Sequence, residues 1–187
     1  MKSFLFVRQF MKSPRRIGAF LPSTHYLAEQ MAEEVSFEHA KFIVEYGPGT
    51  GVFTDEILKK RSDDTWVMLI ESDRNFYSFL KRKYKDTENL LIVNGSAEDI
   101  DHFVKTYDFK RIDYIISGLP FTSLPKQVSD DILNKTRKLL GEKGRFITFQ
   151  YTLLKKAYFK ESFGKVTIKR EYRNFPPAYI LNCGNQG

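Results

Sequence analysis

The chemistry this chain can do starts at Glu45-Tyr46-Gly47-Pro48-Gly49-Thr50-Gly51, directly after the apolar run Phe42-Ile43-Val44. A buried strand that breaks into three alternating glycines and then feeds a helix leaves backbone with no side chains in the way. A cofactor can lie against the main-chain N–H groups of such a helix N-terminus. Twenty residues beyond Gly51, Glu71 ends a second apolar run, Trp66-Val67-Met68-Leu69-Ile70. An acid at a strand end there can accept two hydrogen bonds from a ribose diol. A dinucleotide fingerprint is disfavoured, because Val52 stands where its third glycine would fall. The spacing predicts a nucleoside cofactor, with a plain glycine-rich turn as the alternative.

Positioning these residues requires alternating strands and helices. Strands are expected at 41–46, 65–71, 90–93, 112–117 and 144–150, the last after a Gly141-Glu142-Lys143-Gly144 turn. Helices are expected near 51–61, 73–84, 126–140 and 153–161, with a short one after Gly95 and an earlier one over 24–35. Two final strands, near 165–173 and 178–183, have no helix between them and can form an antiparallel hairpin at one sheet edge. The pattern implies an α/β fold: a doubly wound, seven-stranded, mostly parallel sheet with N-terminal helices. Ligands then sit outside the C-terminal strand ends, where the glycine loop and Glu71 (with Ser72 after it) both lie.

At 187 residues the chain is expected to be one domain, with 1–36 as an N-terminal helical segment and 37–187 as a catalytic core. The single cysteine, Cys183, excludes a disulfide within this sequence. His25, His39 and His102 lack metal-ligand spacing, so no metal is expected. No apolar run approaches a membrane span and no signal peptide is evident, which predicts a cytoplasmic protein. The net charge of +7 is uneven, because five basic residues (Lys2, Arg8, Lys12, Arg15, Arg16) precede the first acid, Glu29. Residues 3–12 read as a short amphipathic helix with Phe4, Phe6, Val7, Phe10 and Met11 on one half. Either it packs on the protein as a lid or it lies on an anionic membrane surface, at the inner membrane face; nucleic acid is a less favoured partner.

Two further turns fall on the same rim. Gly95-Ser96-Ala97-Glu98-Asp99 follows the third strand and reads equally as a helix cap, Ser96 with Asp99. Ser117-Gly118-Leu119-Pro120-Phe121 follows the fourth. Glu-x-Gly-x-Gly-x-Gly resembles the first motif of the seven-stranded S-adenosylmethionine (AdoMet)-dependent methyltransferases. Together with Phe10 to Ala19, Leu21-Pro22-Ser23, Phe146 to Tyr151 and Asn174-Phe175-Pro176-Pro177-Ala178, the motifs resemble bacterial phospholipid N-methyltransferases. These are relatives of the ribosomal RNA adenine dimethylases, which carry a further C-terminal domain that this sequence is expected to lack.

The resemblance implies AdoMet held by Glu45, Gly47, Gly49, Gly51, Glu71, Ser72, Ser96, Ala97, Ser117 and Leu119. It also implies methylation of a phosphatidylethanolamine-like headgroup amine. Enzymes acting on the exocyclic amine of adenine have Asn-Leu-Pro-Tyr where this chain has Gly118-Leu119-Pro120-Phe121, so adenine in ribosomal RNA is the alternative acceptor. A non-enzymatic AdoMet-binding or membrane module is a third reading. An ammonium must lose a proton before it attacks, and His25, Glu98 and Tyr151 are the candidate bases. Tyr26, Phe121, Phe149 and Tyr151 are the rings that would face a methylated ammonium.

Overall fold

The computed structural model describes residues 25–109 and 111–185. The amphipathic helix expected at 3–12 lies outside them. The first described element is α1 (His25–Ala32), shorter than the expected 24–35. Then follow β1 (Phe42–Tyr46), α2 (Val52–Lys60), β2 (Trp66–Glu71), α3 (Arg74–Lys83) and β3 (Leu90–Asn94). After a 3₁₀ turn (Ala97–Asp99) come α4 (Ile100–Thr106), β4 (Ile112–Ser117), α5 (Lys126–Leu139), β5 (Leu140–Gln150), α6 (Lys156–Phe163), β6 (Lys165–Glu171) and β7 (Ala178–Gly184). The seven strands form one sheet in the order β3-β2-β1-β4-β5-β7-β6. β7 runs antiparallel to both neighbours, so the β6–β7 hairpin closes one edge as its missing crossover helix requires.

Residue alternation along the strands builds two cores. Val44, Tyr46, Met68, Ile70, Ile115 and Phe146 point to the face covered by α4, α5 and α6. Ile43, Val67, Leu69, Ile116, Ile147 and Phe149 point to the other, covered by α1, α2 and α3. The helices divide between the faces because each parallel connection needs a right-handed crossover and the strand order reverses at β1. On the first face Phe121, Phe146, Phe159 and Phe163 interlock, with Phe146 and Phe163 stacked at 5.3 Å between centroids. Burying each such ring contributes about 1.5–3 kcal/mol.

Two expected boundaries moved. No separate turn precedes β5: the strand begins at Leu140, and three extra residues loop out between the Ile112–Leu140 and Tyr114–Arg145 pairs. Gly144 permits this, since a Cβ there would stand 3.0 Å from Leu140 Cδ2 and 3.2 Å from Gly141 N. Helix α6 starts at Lys156, not 153, because Phe159 and Phe163 supply its buried face while Leu153 and Leu154 stay exposed in the preceding turn. No helix among the described residues is long and apolar enough to cross a membrane.

Candidate cofactor-binding and acceptor site

The glycine loop leaves β1 through three left-handed residues, with φ of 63° at Gly47, 57° at Gly49 and 83° at Gly51. L-residues with a Cβ resist that region. The three glycines face different surroundings. A Cβ on Gly49 would meet nothing within 4 Å, so its backbone faces open space. A Cβ on Gly51 would lie 2.3 Å from the Tyr84 hydroxyl, which itself sits 3.0 Å from Gly51 O and 2.7 Å from Asp55 Oδ1. Lys83 adds a 2.6 Å pair to Asp55. The end of α3 thus clamps the loop and the first turn of α2. Tyr84, Lys83 and Asp55 were not singled out in the sequence; their long-range pairing leaves no local signal.

Two buried carboxylates support the loop. Glu71 Oε2 accepts from Gly49 N–H at 3.0 Å and Oε1 from Asp73 N–H at 2.8 Å. Asp73 in turn caps α3, its Oδ1 accepting from Asn75 N–H at 2.8 Å. Burial raises the Glu71 carboxyl above the usual range, against those donated hydrogen bonds. Glu45 is fully buried on the α2 side, where Oε2 accepts from Thr54 Oγ1 at 2.7 Å. Its Oε1 has no hydrogen-bond partner in the structure. Burial pushes its carboxyl up to about 8, with the nearby Glu71 adding to the shift.

Gly47, Ser72, Ser96, Ala97 and Leu119 meet around one recess, closed from α5 by Val128 and its neighbours. Ser96 Oγ accepts from Glu98 N–H at 3.2 Å, so the cap is real but Glu98, not Asp99, is the side chain 3.2 Å from the serine hydroxyl. Ser117 does not line the recess: it is fully buried and its Oγ accepts from Leu119 N–H at 3.2 Å, shaping the turn. The recess holds only about 20 Å³ of water-accessible room, too little to enclose a nucleoside.

On the acceptor side, Gly118 N–H donates to Tyr46 O at 2.9 Å, and a Cβ there would stand 2.9 Å from Gly47 O. The ring beside it is Phe53, 3.8 Å from that Cβ position. Phe53 continues to Phe149 at 5.7 Å and Phe149 to Tyr151 at 5.6 Å. Phe121 corrects the sequence expectation: its ring is fully buried on the opposite face of the sheet, 5.4 Å from Phe159 and 6.0 Å from Phe146. It is core, and Phe53, which the sequence reading missed and which is itself buried in the core of the other face, is the ring nearest the turn. Burial raises the Tyr151 hydroxyl above its ordinary range, against a hydrogen bond with Asn174. His25 gains a partner the sequence did not reveal: Nδ1 lies 3.3 Å from Oε1 of the buried Glu56, while most of the imidazole is exposed. Tyr26 stands beside it with the Arg173 guanidinium 4.7 Å from its ring centre.

Comparison with known proteins gives this site a lineage. Residues 18–172 match the ribosomal RNA adenine dimethylase family. The chain belongs to the ribosomal RNA adenine dimethylase family. It is 29% identical to an ornithine lipid N-methyltransferase of Singulisphaera acidiphila, over 96% of this chain and 94% of that one. It is also 29% identical to the ribosomal RNA small subunit methyltransferase A of Mycoplasma mycoides, over 69% of this chain, which spans about half that protein's length (46%). Among solved structures, an O-methyltransferase from Bacillus cereus in complex with SAH superposes with a TM-score of 0.68 at 12% identity, covering 98% of this chain and 91% of that one. Precorrin-6y C5,15-methyltransferase from Geobacter metallireducens gives 0.66 at 14% identity, over 86% and 88%.

Membership makes the protein an AdoMet-dependent methyltransferase. The dimethylase-family loop fits that cofactor in this structure. Its open face at Gly49 leaves the backbone accessible, Glu71 is anchored beside it, and Glu45 keeps one buried oxygen without a hydrogen-bond partner.

Proposed function

We propose that this dimethylase-family protein transfers methyl groups to the headgroup amine of a membrane lipid, phosphatidylethanolamine or an ornithine lipid being the two candidates. The observation that carries the reading is Gly118. In the resembled adenine-amine enzymes an asparagine holds the amine at this position. Here a side chain would run into Gly47 O at 2.9 Å, so an asparagine would require the backbone to shift. This speaks against an adenine clamp of that kind, whereas a flexible headgroup amine needs room and apolar walls more than a fixed carbonyl partner. The near full-length likeness to an ornithine lipid N-methyltransferase supports the same class.

AdoMet supplies, when bound, an electrophilic methyl group on a sulfonium. The chain's own part is positioning and desolvation. Gly49 and its neighbours offer unobstructed backbone, Glu71 offers acceptor lone pairs to a ribose, and Gly47, Ala97 and Leu119 wall the recess. The buried Phe53 and Phe149 and the half-buried Tyr151 form a row of rings ending at the turn after β4, and aromatic faces there would suit an alkylated ammonium. We assign the removal of the ammonium proton to His25 Nε2, since Nδ1 lies 3.3 Å from Glu56 Oε1 and most of the imidazole is exposed.

Labelled AdoMet offered to vesicles containing phosphatidylethanolamine, to vesicles containing ornithine lipid, and to ribosomal RNA separates the readings. Incorporation into either lipid is the expected result and identifies it. Incorporation into RNA alone would replace this reading with a ribosomal RNA adenine N6-methyltransferase, the alternative in keeping with the family's description.

A further inference from the structure

The most exposed large apolar side chains among the described residues are gathered at one place. Leu154 is 86% exposed, Phe175 76% and Tyr172 69%, well above every other large apolar side chain described, with Tyr26 at 46% and Leu153 at 38% nearby in the chain or in contact. Leu153 and Leu154 belong to the turn after β5. Tyr172 and Phe175 belong to the β6–β7 turn. β5 ends at Gln150 opposite Tyr179, and β6 ends at Glu171 opposite Ala178, so both turns leave the sheet at the same end. That end is also where the glycine loop leaves β1 and Gly118 follows β4. Tyr26 joins the patch through its contact with Arg173.

The segment that carries these tips is basic, although Lys165 begins β6 at the far end of the sheet, Lys169 is paired with Glu34, and Asp130 accepts from the Tyr158 hydroxyl. Residues 151–173 hold seven Lys and Arg against two acids, whereas residues 17–150 hold eighteen against twenty-one. Of the two acids, Glu171 is occupied by Arg173 at 2.9 Å and Glu161 lies on α6. Lys155 and Lys156 follow directly after the two leucines. Arg170 lies between the Tyr172 and Tyr179 rings, 4.7 and 5.1 Å from their centres. Protruding aliphatic and aromatic tips ringed by cations and tyrosines match the layered chemistry of an anionic bilayer: acyl chains below, carbonyls and phosphates above. Single-stranded RNA would want planar rings for stacking; Phe175, Tyr172 and Tyr26 offer them, but the most exposed tip, Leu154, does not.

We propose that the turns 151–156 and 172–177 form a surface that docks on anionic membrane and sets the acceptor cleft facing the lipid headgroups. This rests on the lipid-acceptor reading for its purpose, though not for its geometry. Docking at the rim would let a headgroup enter the cleft from the side of the bilayer, without extraction of the lipid.

The test uses the full chain and vesicles of phosphatidylcholine with increasing phosphatidylglycerol. In the double variant Leu154→Ser with Phe175→Ser, vesicle partitioning should fall at least about tenfold at any salt concentration. In Lys155→Glu with Lys156→Glu, the fall should be of about the same size on anionic vesicles at low salt and vanish at high salt. AdoMet affinity should stay unchanged in both, since none of these side chains touches the loop. Sedimentation like the parent's in either variant overturns the surface. So does a loss of thermal stability with unchanged vesicle binding, which would mean that another part of the chain covers the tips. A parent protein that docks through this rim yet methylates no lipid would leave the surface standing and defeat the lipid-acceptor reading. A parent that methylates dispersed short-chain lipid, with rim variants that still dock normally, would do the reverse.

Discussion

Glu71→Gln separates the proposed cofactor role of this residue from its place in the core. The substitution keeps the volume, so no cavity opens. It changes the hydrogen-bonding inventory at a site where both carboxylate oxygens accept, Oε2 from Gly49 N–H at 3.0 Å and Oε1 from Asp73 N–H at 2.8 Å. A glutamine has one acceptor oxygen and one NH₂. In either orientation one of the two backbone N–H groups is left facing a donor. Each hydrogen bond to the charged carboxylate contributes about 1.5–3 kcal/mol, so the loop that presents Gly49 loses roughly that much organisation. The ribose loses its charged acceptor as well. At 1.4 kcal/mol per decade, AdoMet binding should weaken about 10- to 100-fold. Global stability should change less, because the same burial that raises the Glu71 carboxyl disfavours its charge, and the amide escapes that cost. Isothermal titration with AdoMet, alongside a thermal melt, reads both quantities. A variant that melts within a few degrees of the parent and binds AdoMet equally well would refute the ribose assignment and the idea that Glu71 holds the loop.

Gly49→Val should abolish AdoMet binding, because the new side chain fills the open face of the loop and sits at φ 57°; circular dichroism must show that the fold survives, and unaltered binding in a folded variant would relocate the site. Phe121→Ala should cost about 3–5 kcal/mol of stability, roughly 10 °C of melting temperature, with no selective loss of acceptor affinity. A normal melt with a raised acceptor KM would return that ring to the site. Glu45 should make the protein less stable as pH rises. Its folded carboxyl titrates near 8 instead of 4.5, so the folded state keeps a proton that the unfolded chain has lost. That contribution is fully present below pH 4.5 and is lost progressively up to about pH 8, on the order of 5 kcal/mol in all. Urea unfolding across that range should show the decline in the parent and a flatter profile in Glu45→Gln; identical slopes would mean that Glu45 is ionised in the fold.

Much of the architecture is local in origin and was therefore legible in the residue order. Apolar runs of strand length, glycines at helix entries and the absent crossover between 173 and 178 are patterns within a few residues, and they determine a parallel sheet ending in an antiparallel hairpin. The glycine loop and Glu71 were legible for the same reason, since backbone freedom and a strand-end acid are properties of position in the chain. What only the tertiary structure decided depends on which face of the sheet a side chain meets. Phe121 and Phe53 are both aromatic residues near the turn after β4 and both are buried, yet packing against Phe146 and Phe159 places one in the core of one face, while the other is buried in the opposite core beside Gly118. Glu56 reaches His25 because α1 packs on α2, and Tyr84 locks Gly51 from the end of α3, 33 residues away. Such pairings carry no sequence period; they arise when crossover connections bring distant helices onto one face. The rim turns show both sources at once. Their composition was open to view in the sequence, while the sheet topology alone set them side by side at the mouth of the cleft.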